Sequence, residues 1–236
     1  MENIIDFHSH VLPGIDDGSA SVEESLEMLR AQARQGFSHV VATPHFYAHY
    51  DSPEVFLERR AEALQSLRGA LEADPELPQV SLGAEVYYFR GISDSDMLPA
   101  LTMAGRPYIL IEMPQAPWTE SMYRDLEGIW NKHDIMPIIA HIDRYIRPLK
   151  THHIPERLAE LPVLVQANAS FFLDSGTARM ALQLLKKDRI HLLGSDAHNL
   201  RSRRPRLGEA VELIERKLGS VALERICQYQ EDVLFN

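Results

Sequence analysis

Seven short apolar runs, each followed by polar or helically spaced residues, constrain this chain more than any other feature. The runs are "NIIDFH" (3–8), "HVVATPH" (39–45), "VSLGAEVYY" (80–88), "YILIEMP" (108–114), "MPIIAHI" (136–142), "VLVQANA" (163–169) and "IHLLGSD" (190–196). They are β-branched and almost continuously apolar, as strands covered on both faces must be. Over 22–35, Val22, Leu26, Leu29 and Ala33 share one helical face, with Ser21 and Glu24 as a capping box and Gly36 as a stop. Ser52 and Pro53 open a second helix, whose stripe is Leu57, Ala61, Leu64 and Leu71. Further helices are expected over 119–134, 175–188 and 205–218, with a short one over 154–161. Repeated strand–helix units predict an α/β fold on a parallel sheet. Seven of them suggest a barrel, closed or nearly closed; an open doubly wound sheet is the alternative. Either way a site forms at the C-terminal ends of the strands.

The 236 residues suit one domain, spanning 1–236. No apolar run approaches the ~20 residues of a membrane helix. The opening "MENIIDFH" leaves no room for a cleavable signal, so neither membrane insertion nor export is expected. A single cysteine, Cys227, cannot form an internal disulfide, which fits a reducing, cytoplasmic setting. A net charge of −10 argues against a nucleic-acid partner.

The runs end in a consistent chemistry. The first ends in His8-Ser9-His10 and the second in His45; the third carries Glu85 and the fourth Glu112. The fifth ends in His141, and the last in Asp196-Ala197-His198. A lone strand-end histidine is usually structural, and Asp196 with His198 could be a capped turn. A buried carboxylate such as Glu85 or Glu112, however, is costly unless paired or metal-bound. Residues i and i+2 of a strand point the same way, so His8 with His10, and Asp196 with His198, can each share a site. His39 and His191 stand at strand starts and are read as structural. His49, His133, His152 and His153 fall in helices or loops and take surface roles, with His49 a remote candidate for substrate contact.

With one aspartate of "PGIDDGS" added, the ligands are too many for one ion with four to six positions. They suit two or three ions with a bridging carboxylate, of the kind that hydrolyses phosphate esters. Imidazole with carboxylate suits manganese (Mn), iron or zinc better than magnesium or calcium. Spacing does not choose between Asp16 and Asp17, since either could hold the turn at Gly18.

Together "DFHSHVLPGIDDGS", "TPH", "GAEVYY", "IEMP", "IAHIDRY", "QANASFF" and "GSDAHN" resemble the polymerase-and-histidinol-phosphatase (PHP) superfamily. More narrowly, they resemble its CpsB/CapC family of bacterial protein-tyrosine phosphatases from capsule and exopolysaccharide loci. The resemblance runs from the first strand to at least Arg206. It implies a distorted (β/α)7 barrel and three divalent metal ions, usually Mn, with Fe, Zn or Mg as alternatives. Carried over by position, His8, His10, Glu85 and Asp196 would hold one ion. Glu85, Glu112 and His141 would hold a second, with Glu85 bridging, and Asp17, His45 and His198 a third. The resemblance thus selects Asp17, leaving Asp16 to the turn. Asp6 becomes a candidate for orienting a histidine. Glu112 replaces a histidine of other superfamily branches, and Asp143 stands where the family commonly has Glu.

Two arginines also match, Arg144 in "HIDRY" and Arg203 in "HNLRSR". A phosphoryl group suits a bidentate guanidinium. Arg201, Arg204 and Arg206 are read as a solvated loop. Tyr47, Tyr50, Tyr88, Phe89 and Trp118 could flank a phenyl ring, or simply pack. The expected function is hydrolysis of phosphotyrosine monoesters by a metal-activated water, with Asp196 or a neighbouring histidine moving a proton. The expected partner is the tyrosine-rich tail of a bacterial tyrosine autokinase controlling polysaccharide export. Rival readings are a phosphoesterase acting on a small metabolite such as histidinol phosphate, a polymerase-associated exonuclease, and a non-catalytic binding module.

Overall fold

The computed structural model describes residues 4–149 and 153–236. His152 lies outside the described residues. Strand β1 (Asp6–Ser9) pairs with β2 (His39–Ala42), and β2 with β4 (Gln79–Leu82). The second and third runs are each broken in two. Pro44, which has no N–H for a ladder, separates β2 from β3 (His45–Phe46). Gly83 separates β4 from β5 (Glu85–Tyr87), at a point where a Cβ would come within 2.6 Å of Met103 Sδ.

From β3 the ladder continues through β5, β6 (Tyr108–Glu112), β7 (Met136–Ile139), β8 (Leu164–Asn168) and β9 (Leu192–Gly194), every pairing parallel. The chain beyond β9 then returns to β1. Ser9 bridges Ala197, His10 N–H donates to the Ala197 carbonyl at 2.8 Å, and Asp196 N–H to the His8 carbonyl at 2.7 Å. The result is a curled parallel sheet wrapped by helices.

The expected helices form as α1 (Val22–Ala33), α2 (Pro53–Ala73), α3 (Glu120–His133), α5 (Ile154–Leu158), α7 (Ala178–Lys186) and α8 (Leu207–Leu218). Ser21 and Ser52 accept from the third N–H beyond them, as N-caps do. Three helices were not expected: α4 (Asp143–Leu149), α6 (Ala169–Leu173) and α9 (Ser220–Leu234). Helix α9 closes the N-terminal end of the sheet. Its Gln230 amide accepts from Ile5 N–H at 3.1 Å and donates to the Ile5 carbonyl at 3.0 Å.

Alternation along the strands divides the core. Leu110, Ile138, Leu164 and Leu192 join Ile5 and Phe7 in one cluster, while Ile109, Ile111, Ile139 and Leu193 pack with the helices. In β6, β8 and β9 the first of these faces turns polar at its C-terminal end, at Glu112, at Gln166 and Asn168, and just beyond at Asp196. His141 is one step out of that alternation, and its φ of 31° turns the chain there.

Candidate metal centre

Glu85 sits at the middle of the C-terminal face and is 1% exposed. Four imidazoles surround it. Its Oε2 lies 3.1 Å from His8 Nε2, 3.2 Å from His10 Nε2 and 3.2 Å from His45 Nδ1. Its Oε1 lies 2.6 Å from His141 Nε2. The parallel register sets this up, since His45 stands opposite Glu85 in the β3–β5 ladder. Glu112 Oε1 is 3.6 Å from His141 Nε2. Asp17 Oδ1 is 3.3 Å from His198 Nε2 and 3.5 Å from His45 Nε2. Asp196 Oδ1 is 3.6 Å from His8 Nε2 and 3.7 Å from His10 Nε2.

Three sets of side chains each bring ligand atoms within 4.8 Å of one another: His10 with Asp17, His45 and His198; His8 with His10 and Glu85; and His45 with Glu85 and Glu112. Compared with the division expected from sequence, His10 and His45 each take part in two sets. Atoms ~2.0–2.2 Å from a common ion lie within such a spacing.

The imidazole environments fit a metal. His10 Nδ1 is held by Asp16 Oδ2 at 2.7 Å, His8 Nδ1 by Gln166 Oε1 at 3.2 Å, and His198 Nδ1 by the Asp196 carbonyl at 3.1 Å. Each partner is an oxygen acceptor, which places the proton on Nδ1 and the lone pair on Nε2, facing the site. Two such lone pairs, on His8 and His10, then face each other at 3.2 Å beside a carboxylate. That arrangement is repulsive unless a proton or a metal ion lies among them. Among the described residues, His198 Nε2 and His45 Nδ1 are buried with no hydrogen-bond partner. His141 Nδ1 meets the Tyr145 hydroxyl at 3.3 Å, and that hydroxyl accepts from Met113 N–H at 2.8 Å.

Titration follows the same geometry. Burial pulls down the His10 imidazole, but its hydrogen bonds to Asp16 and Glu85 outweigh that and push it up to about 10. Burial and neighbouring Glu85 push Glu112 up to about 7, against the pull of Arg144. Burial and the His10 charge push His198 down to about 4. Asp196 is buried, which favours its acid form, yet His8 and Arg144 hold it well below the usual carboxylate range.

The two adjacent aspartates part company. Asp16 accepts from Gly18 N–H at 2.9 Å and His45 N–H at 3.0 Å besides holding His10. Asp17 is 65% exposed and faces His45 and His198. Asp6 orients no histidine ring: its carboxylate accepts from the backbone N–H of His8 and Ser195 and from Gln32 Nε2. It fixes the two strand ends rather than an imidazole. Asp143 Oδ1 accepts from Asn168 N–H at 3.3 Å. Arg144 donates to Glu112 Oε1 at 3.3 Å and to Asp196 Oδ2, and Arg203 to Asp196 Oδ1 at 2.7 Å.

Gln166 and Asn168, in the "QANASFF" stretch, carry no role that the sequence alone assigns. Gln166 holds His8 and donates to Asn168 Oδ1 at 3.1 Å, and Asn168 donates to Asp196 Oδ2 at 2.9 Å. Two amides two residues apart in an apolar strand were the available signal. Of the loop aromatics, Tyr47 lies nearest, its ring 5.3 Å from that of His45 and 5.6 Å from Tyr87. Tyr88 instead donates to Asp125 at 2.6 Å, and Trp118 packs edge-on against Tyr145 at 5.0 Å. A concavity of about 560 Å³ beside Leu64, Leu71 and Val80 lies toward the start of β4, away from this chemistry.

The model of the family described as "Capsular polysaccharide synthesis, CpsB/CapC" matches residues 4–235. The chain is similar to tyrosine-protein phosphatase YwqE of Bacillus subtilis (strain 168), at 32% identity over 92% of this chain and 86% of that protein. It is similar to tyrosine-protein phosphatase CpsB of Streptococcus pneumoniae, at 29% identity over 92% of each. Its backbone matches a crystal structure from a study of those two proteins, described there as "unique metal-dependent tyrosine phosphatases". The TM-score is 0.86 at 26% identity, covering 98% of this chain and 94% of that one. No helix among the described residues is long and apolar enough to cross a membrane. On the strength of a match that spans nearly its whole length, the chain belongs to the CpsB/CapC family.

Proposed function

We propose that this chain is a metal-dependent protein-tyrosine phosphatase that hydrolyses phosphotyrosine monoesters. The observation that carries this reading is the inward-turned Nε2 atoms of His8, His10 and His198 around the Glu85 face, each with its Nδ1 held by an oxygen behind it, with two guanidiniums at the rim. The relatives named as tyrosine-protein phosphatases support it. Further parts of the proposal are one domain over 1–236, a distorted (β/α)7 barrel closed through Ser9 and Ala197, and a cytoplasmic setting.

The ligands proposed for three ions, Mn foremost, are His8, His10, Glu85 and Asp196; Glu85, Glu112 and His141; and Asp17, His45 and His198. Bound divalent ions supply a water deprotonated near neutral pH and neutralise phosphate oxygens. The chain's own groups do the rest. Asp16 and Gln166 fix the tautomers of His10 and His8. Arg144 and Arg203 reach from the rim to hold the phosphoryl oxygens. As the water oxygen bonds to phosphorus, the bond to the tyrosine oxygen breaks, a proton from the water ends on that oxygen, and the products are tyrosine and phosphate. Asp196 has both oxygens engaged by Arg144, Asn168 and Arg203 and is held ionised, so we assign it to charge and positioning rather than proton delivery. The proposed partner is a tyrosine autokinase of polysaccharide export, in keeping with the family's capsular link.

Metal analysis with rates on a phosphotyrosyl peptide and on histidinol phosphate tests the reading. Bound divalent metal and a chelator-sensitive preference for the peptide are expected. Full activity after exhaustive chelation, or a large preference for histidinol phosphate, overturns it.

A further inference from the structure

We propose that the cleft beside the metal centre is a second anion subsite, which binds a carboxylate or phosphate on the substrate chain next to the phosphotyrosine. This rests on the phosphatase reading above and extends it to substrate sequence. The cleft holds about 250 Å³. Arg144, Asp196 and Arg203 wall it toward the metal face, and Ser170, Arg204 and Arg206 line it further out. Asp196 Oδ1 is 3.6 Å from His8 Nε2, so the cleft opens directly off the proposed centre. One to three residues of extended chain span ~3–10 Å, enough to carry a flanking side chain there.

The arginine loop is held in shape. Asn199 Oδ1 accepts from the N–H groups of Arg201, Ser202 and Arg203 at 2.9, 2.9 and 3.2 Å. The Pro205 carbonyl accepts from Gln35 Nε2 at 3.0 Å. Four guanidiniums, against the two carboxylates of Asp143 and Asp196, therefore line one short cleft in a chain of net charge −10. The inner pair is committed to Asp196 and the phosphoryl group. The outer pair already shows the chemistry it would use on a substrate. Glu209 takes Arg206 in a two-pronged bond, at 2.9 and 2.6 Å, and lies 3.8 Å from Arg204. The outer side chains remain 58% and 42% exposed. An incoming carboxylate or phosphate would share or replace Glu209, which acts as a built-in competitor.

The test uses the full-length, metal-loaded protein and three phosphotyrosyl peptides, with alanine flanks, glutamate flanks, or a second phosphotyrosine. In the wild type, at least one anionic peptide is expected to exceed the alanine peptide in kcat/KM by about five-fold, as exposed ion pairs allow. The two anionic peptides distinguish carboxylate from phosphate as the group read. Replacing both outer arginines (Arg204→Gln with Arg206→Gln) should bring that ratio to about one, and Glu209→Gln should raise it. Because each ratio is taken within one variant, partial loss of folded protein cancels. A wild-type ratio of one for both anionic peptides, or a ratio unmoved in the double variant, overturns the subsite. If the metal-loaded protein hydrolyses none of the three peptides, the phosphatase reading fails and the subsite with it.

Discussion

The two ends of the curled sheet both carry buried or half-buried histidines, in opposite circumstances. At the N-terminal end, His39 Nε2 shares a 2.8 Å hydrogen bond with Ser81 Oγ. His191 Nδ1 accepts from Val165 N–H at 2.9 Å, and its ring stands edge-on to Tyr229 at 4.8 Å. Burial lowers the pKa of both, as suits neutral rings satisfied by the protein. At the C-terminal end, His8, His10 and His198 have one nitrogen fixed by an acceptor and the other turned toward further ligands. The backbone does not separate the ends: His141 and Asp196 hold φ values of 31° and 52° after their strands, and Asp134 and Asp188 hold 58° and 56° before theirs. What separates a structural histidine from a proposed ligand is therefore the direction of its second nitrogen, since His39 is buried as the proposed ligands are.

The comparison breaks most sharply at His141. His141→Ala is expected to lose bound metal and at least about 100-fold in phosphatase rate, whereas His39→Ala keeps its metal. Elemental analysis with a rate assay reads both. A His141 variant with full metal and full rate would mean that the two ends do not differ. Gly194→Ala probes the same end through the backbone. A Cβ there would stand 2.5 Å from His8 Cβ and 2.7 Å from Gln166 Nε2, so β9 passes β1 too closely for a side chain. Loss of about 1–3 kcal/mol of stability by urea titration is expected, together with reduced metal content. Unchanged values for both would show that His8 tolerates displacement.

Gln166→Leu tests the support behind the ligands. It removes the acceptor of His8 Nδ1 and the partner of His141 N–H, at 3.2 and 2.7 Å, while keeping the bulk. Groups behind a ligand typically account for about 10–100-fold in metal affinity. Titration of the metal-free variant should show a loss in that range, with rate recovering at high metal concentration. A rate that stays low at saturating metal would place Gln166 in a different role.

Much of this was legible because it is one-dimensional. The seven apolar runs became the strands, since parallel strands buried on both faces need continuous apolar sequence. The breaks at Pro44 and Gly83 were less visible, because an apolar run does not show where a ladder stops. Helix α9 was missed although Leu223, Ile226, Gln230 and Val233 keep a helical spacing, with a glutamine where an apolar residue is usual. Gln230 is there because Ile5 needs partners for its backbone, a tertiary requirement. In the site, the strand-end histidines and acids announced themselves by type and position. The supporting groups did not. Asp6 and Asp16 look alike in sequence, and only the fold shows that Asp6 holds backbone while Asp16 holds an imidazole.

The smallest expected effect lies at the opposite end of the sheet and should be invisible to activity. Partial burial draws His191 down to about 4, because protonating Nδ1 would leave a charge poorly solvated and forfeit the Val165 bond. Above its ordinary pKa of ~6.5, His191 is neutral in both folded and unfolded chains and contributes no pH dependence. Between there and about 4 the unfolded chain takes up a proton that the folded chain refuses, so stability falls as pH falls. Below about 4 both forms are protonated and the loss stops growing. His191→Phe keeps a ring against Tyr229 but cannot titrate. Between pH 7.5 and 5, urea unfolding should show the wild type losing up to about 2 kcal/mol more than the variant, with metal content equal in the two proteins. Parallel stability curves would mean that His191 protonates freely in the folded chain. The contrast between the two ends would then rest on hydrogen-bond direction alone.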